Sequence, residues 1–543
     1  MNDFKISEKE KKIWEILKVP TPTLTPQERF QRLMAFRNEW RLYPRKCDAT
    51  GKNILSAYRP DVPFPVYENE IWWGDSWDAL KYAKAFDFSR PFFDQFKELQ
   101  NVVPREGTSI FNSENCEYNS HTRQSKNCYL NSLIVKCEDV YYSYWMVNDK
   151  DTYDSVLTND STLCYECIDV NASYDSAFLQ ECTNCSDCYF SYQLRSCHNC
   201  IFSSNLINKE YYIFNKPCTK DEFESMKSKI FDGSYKTLEM AKKSFLDMRK
   251  KSIHRNLQTL QSENVVGNHV YRSRNCANAF EVFDSEDVYN TISTGNCKDI
   301  SSCYSCGWPD GELVYMSVTS RGCREIAFCS YSWFSQNLYY CDSSNSCKDC
   351  FGCIGLRHKQ YCILNKQYSK EEYEELLPKI IDWMTKTKEW GEFFPANLSV
   401  FAYNESAAQE FYPLTKEEAL KQGFNWTDYE TPLPQVKKLI KASELPDNIK
   451  DTPDTILDWA IECEVTGKPF RIVKTELKFY RDHNIPIPHR LPYQRHMDRV
   501  ALRNKPALYS RNCSKCSQPM HTAFPPEAIE TIYCEKCYLE TVG

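Results

Sequence analysis

The cysteine-rich middle of the chain is written twice, so its fold must be built from a repeated unit. The stretch SCHNCIFSSNLINKEYYIFNKPCTKDEF from Ser196 aligns without a gap on SCKDCFGCIGLRHKQYCILNKQYSKEEY from Ser346, at an offset of 150 residues. Cys197 falls on Cys347, Cys200 on Cys350, Asn215 on Asn365 and Lys216 on Lys366. Further upstream, Ser125–Cys128 pairs with Ser273–Cys276, and CEDVY from Cys137 pairs with SEDVY from Ser285, at an offset of 148. The duplication covers roughly residues 113–230 and 262–380, and self-similarity on this scale marks a repeat architecture.

A finer repeat runs inside each copy. Asn precedes Cys116, Cys128, Cys185, Cys200, Cys276 and Cys297. Cys276, Cys297, Cys323 and Cys347 stand 21, 26 and 24 residues apart. Between them lie short aromatic and β-branched runs such as DVYYSYW and ELVYMSV, punctuated by Asn, Asp, Ser and Gly, which read as strands and turns. The pattern predicts two β-solenoid modules of four or five irregular rungs, each rung about 20–26 residues. Asn would take the left-handed corners, and Cys would stack inside as a small hydrophobe.

Each copy ends in a helix start. Thr219-Lys-Asp-Glu222 and Ser369-Lys-Glu-Glu372 are capping boxes. Phe223, Met226 and Ile230 follow the first at helical spacing, and Tyr373, Leu376, Leu377 and Ile380 the second. The fold class predicted is mainly β with helical caps, two tandem duplicated solenoid modules flanked by zinc-ribbon-like modules. The expected division is 1–104 (N-terminal helix and degenerate ribbon), 105–218 (first solenoid), 219–257 (capping and linker helix) and 258–368 (second solenoid). Then follow 369–395 (capping helix), 396–445 (connection) and 446–543 (degenerate ribbon and C-terminal zinc ribbon).

Charge is uneven about a net −7. Residues 113–218 carry 14 acidic and 7 basic side chains, whereas 468–515 carry 12 basic and 3 acidic, and 29–52 carry 7 basic and 2 acidic. An acidic middle between basic ends excludes a basic coat over the whole surface. No stretch approaches a membrane span, and the N-terminal MNDFKISEKEKKIWEILKVP lacks the apolar centre of a signal peptide. A cytoplasmic protein is expected, with its 28 cysteines reduced or metal-bound rather than disulfide-linked.

Cys513-x2-Cys516 and Cys534-x2-Cys537 form C-x2-C-x17-C-x2-C, the spacing that brings four thiolates to a tetrahedral zinc. Four thiolates fill the shell and leave no place for substrate, so this zinc is expected to be structural. A degenerate copy opens the chain: ALRNKPALYSRNC from Ala501 matches AFRNEWRLYPRKC from Ala35, with Arg503-Asn504 on Arg37-Asn38. There the remaining ligand positions are Thr50, Glu68 and Ile71, which cannot hold zinc in the same way, and Trp72, Trp73 and Trp77 could supply packing instead. A third start, Cys463-Glu-Val-Thr-Gly-Lys468, resembles Cys47-Asp-Ala-Thr-Gly-Lys52 and also lacks a second cysteine nearby.

The solenoid cysteines admit two readings. Cys182, Cys185, Cys188, Cys197 and Cys200, with Cys347, Cys350, Cys353 and Cys362 in the second copy, could bind further metal. They could equally be columns of buried thiols, one per rung. Cys353 and Cys362 stand against Ser203 and Tyr212 of the first copy, a loss that a shared metal centre should not tolerate. Cys164-x2-Cys167 and Cys303-x2-Cys306 are smaller pairs. A dithiol enzyme would need a βαβ context that is not visible. The GxSxG, P-loop, GxGxxG and HExxH signatures are absent.

Several stretches together resemble a family of Cys-rich zinc-ribbon proteins from small, uncultured bacteria of the candidate phyla. They are CDATGKNILSAYRPDVPFPVY (47–67), FDFSRPFFDQF (86–96), CFGCIGLRHKQYCILNKQYSKEEY (350–373), EWGEFFP (389–395), FYPLTKEEAL (411–420) and the closing ribbon. The resemblance spans nearly the whole chain and implies ribbons and zinc, but no activity. Members are sometimes labelled CoA transferases, for which no nucleotide-binding βαβ pattern or nucleophilic Asp is present. Leu491 and Gln494 stand where the resemblance implies a cysteine pair.

The expected function is a non-enzymatic zinc-binding scaffold that meets a protein or ribonucleoprotein partner, with no small-molecule substrate indicated. Arg495, Arg499, Arg503, Lys505 and Arg511 are candidate nucleic-acid contacts, with Phe479, Tyr480, Tyr493 and Tyr509 as stacking faces. The same basic run could instead be a solvated face or a seam against the acidic solenoid. Self-assembly into a dimer or filament is the alternative, and an enzyme with a solenoid-groove active site the second alternative.

Overall fold

The computed structural model describes residues 8–304, 314–319, 327–432 and 436–542. Cys306 and Cys323 lie outside the described residues, so the Cys303–Cys306 pair and the spacing through Cys323 are not placed. The chain is mainly strand, arranged as two long parallel ladders and several small sheets. The first ladder runs from Ser109–Phe111 to Lys216–Pro217, and the second from Thr259–Leu260 to Lys366–Gln367.

The register of the first ladder advances by twelve residues: Glu138 pairs with Lys150, which pairs with Thr162, which pairs with Tyr174. Six residues along, Tyr144 pairs with Val156, which pairs with Ile168. Twelve, not 20–26, is therefore the repeat of the backbone, and each repeat supplies two short parallel strands. The second ladder keeps the same step, as in Arg274↔Glu286↔Lys298, after eleven-residue steps at its start, Thr259↔Val270 and Glu263↔Arg274, and apart from a fourteen-residue step, Ser301↔Tyr315.

Within each twelve the true unit is three residues. Asn148, Asp151, Asp154, Leu157 and Asp160 all have positive φ, and so does every third residue along most of both ladders. The residue after each one points inward: Asp149, Thr152, Ser155, Thr158, Ser161, Cys164 and Cys167 are all buried. A left-handed non-glycine residue costs on the order of 1 kcal/mol. Asn and Asp are the residues best suited to it, and here they also bond to one another along the ladder. Asn148 Nδ2 donates to Asp160 Oδ1 at 3.0 Å, and Asn278 Nδ2 to Asn290 Oδ1 at 2.7 Å. The Asn residues ahead of Cys116, Cys128, Cys185, Cys200, Cys276 and Cys297 do adopt the left-handed corner.

The inward residues explain the composition. At alternate inward positions, such as Ser155, Cys167 and Ser173, the backbone N–H faces the interior, where a buried donor must find an acceptor. A serine or cysteine twelve residues earlier supplies it. Cys167 N donates to Ser155 Oγ at 3.2 Å, Cys185 N to Ser173 Oγ at 3.2 Å, and Leu194 N to Cys182 Sγ at 3.4 Å. The same hydroxyls donate to the carbonyl two residues back, as Ser155 Oγ does to Tyr153 O at 3.0 Å. Outside, aromatic side chains stack at the twelve-residue step: Tyr141 on Tyr153 at 4.7 Å and Phe178 on Phe190 at 4.3 Å.

Both ladders close alike. A short antiparallel strand folds back (Lys216–Pro217, Lys366–Gln367), and a helix follows. Thr219 and Ser369 make the complete capping box that the sequence predicts. Phe223 and Ile230 of the first cap and Tyr373, Ile380 and Met384 of the second are buried.

The flanking modules cross over. The N-terminal helix Pro26–Ala35 shares its core with the second ladder, while the C-terminal helix Pro492–Val500 lies on the first. No helix among the described residues is long and apolar enough to cross a membrane.

Ser155→Ala strips the acceptor from the buried Cys167 amide and should lower the unfolding free energy by about 1–3 kcal/mol. Cys185→Ser, which exchanges one member of the column for another, should change it by less. Urea unfolding followed by circular dichroism measures both.

Candidate metal centre

The C-terminal hairpin, Tyr509–Asn512 against Pro519–Thr522, ends in a tight turn. Cys513 N donates to Gln518 O and Ser517 N to Cys513 O, both at 2.9 Å, with Ser517 left-handed. A second turn, entering the helix Glu535–Val542, is laid against the first by Ser514 N donating to Ile532 O at 2.9 Å. The sulfur atoms of Cys513, Cys516, Cys534 and Cys537 thereby lie within 4.8 Å of one another and could hold a metal ion. Cys516 Sγ and Cys534 Sγ are 3.9 Å apart. Burial alone would raise the Cys513 thiol. Backbone amides of Cys516, Cys534 and Lys515 aimed at its sulfur outweigh that and bring it down to about 6.

The other two cysteine starts form the same turn without the ligand set. Cys47 N donates to Lys52 O at 2.8 Å, Cys463 N to Lys468 O at 3.0 Å, and Gly51 and Gly467 take the left-handed position of Ser517. Glu68 N donates to Cys47 Sγ at 3.3 Å, as Cys534 N does to Cys513 Sγ at 3.3 Å. In the N-terminal ribbon the Glu68 carboxylate is bonded by Thr50 Oγ1 and Lys52 Nζ, each at 2.8 Å. Trp72 is buried beside Trp73 and Trp77, and its Nε1 donates to Pro104 O at 3.1 Å. In the middle ribbon, Gln494 Nε2 donates to Asp498 Oδ1, and Ile461, Cys463 and Phe470 join an apolar core.

The ladder cysteines gather no other such set: among the described residues no further group of three cysteines approaches within 4.8 Å. Among the described residues twenty-five cysteines form no disulfide, whereas Cys303 is disulfide-bonded, a departure from the expected reduced or metal-bound state.

Three of the five side chains expected at nucleic acid are placed elsewhere. Arg495, Arg499 and Arg503 do not face outward; they are buried against the first ladder. Arg495 Nη1 is 2.6 Å from Asp154 Oδ2, and Arg499 Nη1 is 3.1 Å from Asp154 Oδ1 and 3.1 Å from Glu166. Arg503 Nε is 2.9 Å from Asp169, and the same guanidinium pairs with Glu281 of the second ladder. Burying Asp154 raises its carboxyl to about 6 even though both arginines oppose the rise. The basic run is thus a seam, as charge complementarity with the acidic ladder requires. Lys505 is exposed, and Arg511 donates to Pro525 O. Of the expected stacking faces, Phe479 and Tyr480 are buried in the same seam.

The N-terminal module makes the corresponding seam. Arg29 Nη1 donates to Ser302 Oγ at 2.6 Å, and Arg37 Nε is 2.7 Å from Glu39. Glu39 Oε1 accepts from Tyr304, and Oε2 from Ser132 of the other ladder, both at 2.8 Å. Sequence reasoning did not single out Glu39, Asp154 or Asp169. The duplicated Arg-Asn at 37–38 and 503–504 was the available signal. Asp169, His269 and Glu281 also bring ligand atoms within 4.8 Å of one another, but the Arg503 guanidinium already sits between the two carboxylates.

Fold and site together define a mainly-β protein of two parallel ladders with a C-terminal four-cysteine group suited to a metal ion. No protein-family model and no curated protein matches the chain.

Arg495→Met leaves Asp154 buried with its ion pair broken and should cost about 3–5 kcal/mol. Arg511→Ala, at a half-exposed site, should cost well under 1 kcal/mol. The two midpoints in urea read the contrast. A pH scan reads a second group, Glu106, which burial raises to about 8 against a bond from Trp73 and the charge of Arg123. The folded state then holds a proton that the unfolded chain releases near the ordinary carboxyl value. Stability is greatest below that value and falls as pH rises through about 8. Glu106→Gln should flatten this part of the profile.

Proposed function

We propose that the protein is a non-enzymatic, zinc-held scaffold in which two β-solenoids of twelve-residue rungs are clasped by their flanking modules. The observation that carries this reading is where the four-cysteine ribbon sits. Its strand Thr531–Tyr533 adds in parallel to Ile253–Arg255, the segment that leads into the second ladder. Tyr538 of the same ribbon bonds Gln193 of the first ladder at 2.8 Å and Asn205 at 3.1 Å. These contacts support the ribbon as a joint between the halves rather than a free reading head.

Zinc suits the donor set. Thiolates about 2.3 Å from a tetrahedral zinc stand roughly 3.8 Å apart, close to the 3.9 Å between Cys516 and Cys534. Four sulfur ligands leave no open coordination position, so the metal serves folding rather than chemistry. A ribonucleoprotein contact would have to rest on Lys505 and Arg511, few charges for a phosphate backbone. End-to-end assembly is opposed by the strand and helix that close each ladder.

Two measurements test the reading. Stripping zinc with a chelator, or Cys534→Ser, should speed amide exchange at residues 253–260 while exchange at residues 138–171 keeps its rate. Unchanged exchange at 253–260 would remove the ribbon from its role as joint. Titration with a fluorescein-labelled single-stranded RNA at about 0.1 M salt should give no saturable binding. Saturable binding that disappears in Lys505→Ala/Arg511→Ala would replace the scaffold by a ribonucleoprotein adaptor.

A further inference from the structure

His121 and His269 are repeat equivalents at the 148-residue offset, and Arg37 and Arg503 are equivalents in the flanking modules. The two places have diverged. Around His269 the space is filled: Arg503 pairs with Asp169 and Glu281, and His269 Nδ1 is 3.9 Å from Asp169 and 3.1 Å from the Tyr271 hydroxyl. Around His121 the counterparts of Asp169 and Glu281 are gone. Thr319 takes the position of Asp169 and bonds Arg37, whose charge is spent on Glu39.

What is left is a cavity of about 40 Å³ lined by His121, Glu106, Tyr58, Trp72, Tyr331 and Trp333, where the two ladders meet the N-terminal ribbon. His121 is held by a bond to the backbone of Asn38. Its Nε2 is shielded from solvent and has no hydrogen-bond partner among the described residues. An orphaned buried nitrogen of this kind costs stability and marks a missing partner. Glu106 Oε1 accepts from Trp73 Nε1 at 2.7 Å, which fixes the carboxyl at the cavity wall.

We propose that this cleft binds a neutral primary carboxamide, whose N–H meets His121 Nε2 and whose carbonyl meets the Glu106 carboxyl between aromatic walls. Protonation supports the choice. Burial holds His121 well below its ordinary value, with Arg37 and Arg123 adding to the effect, so the imidazole is neutral. Burial also raises Glu106 to about 8, so at neutral pH it carries a proton to donate. One neutral acceptor and one neutral donor match an amide and reject a carboxylate or an ammonium. The volume suits a small head group, since a water needs roughly 10–15 Å³ of such space.

The test is histidine-selective ¹³C NMR of the full chain, whose nine histidines give few signals, with the His121 signal assigned by His121→Gln. Acetamide should shift His121 saturably and leave His269 in place, and acetate should do neither. Glu106→Gln, which keeps a donor, should retain binding, and Glu106→Leu should weaken it at least tenfold. N-acetylglutaminamide separates the sources: a shift with both probes assigns the cleft to a partner's side-chain amide, and a shift with acetamide alone to a free small amide. A folded wild type whose His121 ignores both probes, or responds equally to acetate, overturns the proposal.

Discussion

Both ladders depend on one hydrogen-bonding constraint. A chain that turns a left-handed corner every third residue points the amides of alternate inward residues, such as Ser155, Ser161, Cys167 and Ser173, into its own interior. The ladder bonds of the other residues cannot reach them. The interior is too narrow for large side chains, so the acceptor must be a short one standing one level away. Serine and cysteine satisfy this. Their heteroatom lies at the right distance to accept from the next level and to donate to a carbonyl of their own, as Ser155 and Cys182 do. Valine and leucine take inward places that lie within the strands, as at Val170 and Leu179, where the backbone pairs in the ladder and the side chain only packs. The cysteine content is thus first a consequence of backbone geometry and only at the C-terminus a matter of metal.

This is also why the sequence was partly misread. The duplication, the caps at Thr219 and Ser369, the four-cysteine group and the ancestral ribbon at Cys47 were all legible, because each has a local signature. The period was not. Cys182-x2-Cys185-x2-Cys188 looks like metal-ligand spacing, and the intervals between Asn-Cys pairs suggested long rungs. The same spacing of three, continued through Ser191, Leu194, Cys197 and Cys200, is the backbone unit itself. It is hidden because Ser, Thr, Val, Leu and even Asp149 share the column with Cys. A pattern defined by size and hydrogen-bonding capacity does not show as identity.

The arginine seams were invisible for a different reason. Arg495, Arg499 and Arg503 sit in a strongly basic run, and net charge along a chain does not say which face is covered. Their partners, Asp154, Glu166 and Asp169, belong to a module more than 300 residues away in sequence. Burying such pairs is costly unless every remaining group is satisfied. Tyr142 and Tyr480 supply part of that satisfaction, each donating to Glu476 at 2.7 Å, while Arg495 Nε and Arg499 Nε stay buried without a hydrogen-bond partner among the described residues. The pairing is better understood as a device that fixes which module docks on which ladder than as a source of net stability.

The three cysteine turns differ in what else holds them, and only the C-terminal one carries a four-cysteine group that could hold a metal ion. The N-terminal ribbon rests on buried Tyr58, Phe64 and Val66 and on the tryptophans after it, and the middle ribbon shares a core with the first ladder. Each keeps its turn with one cysteine. The C-terminal ribbon has Cys516 exposed and Cys534 half-exposed, and little of its own beyond Ala523, Phe524 and Ile532 is buried. A unit that small cannot bury enough apolar surface to hold its shape, so it is the one that retains four ligands. Its strand Thr531–Tyr533 also flanks Ile253–Arg255, the segment that leads the chain into the second ladder, where a loosened hairpin would free the edge on which every later level is laid.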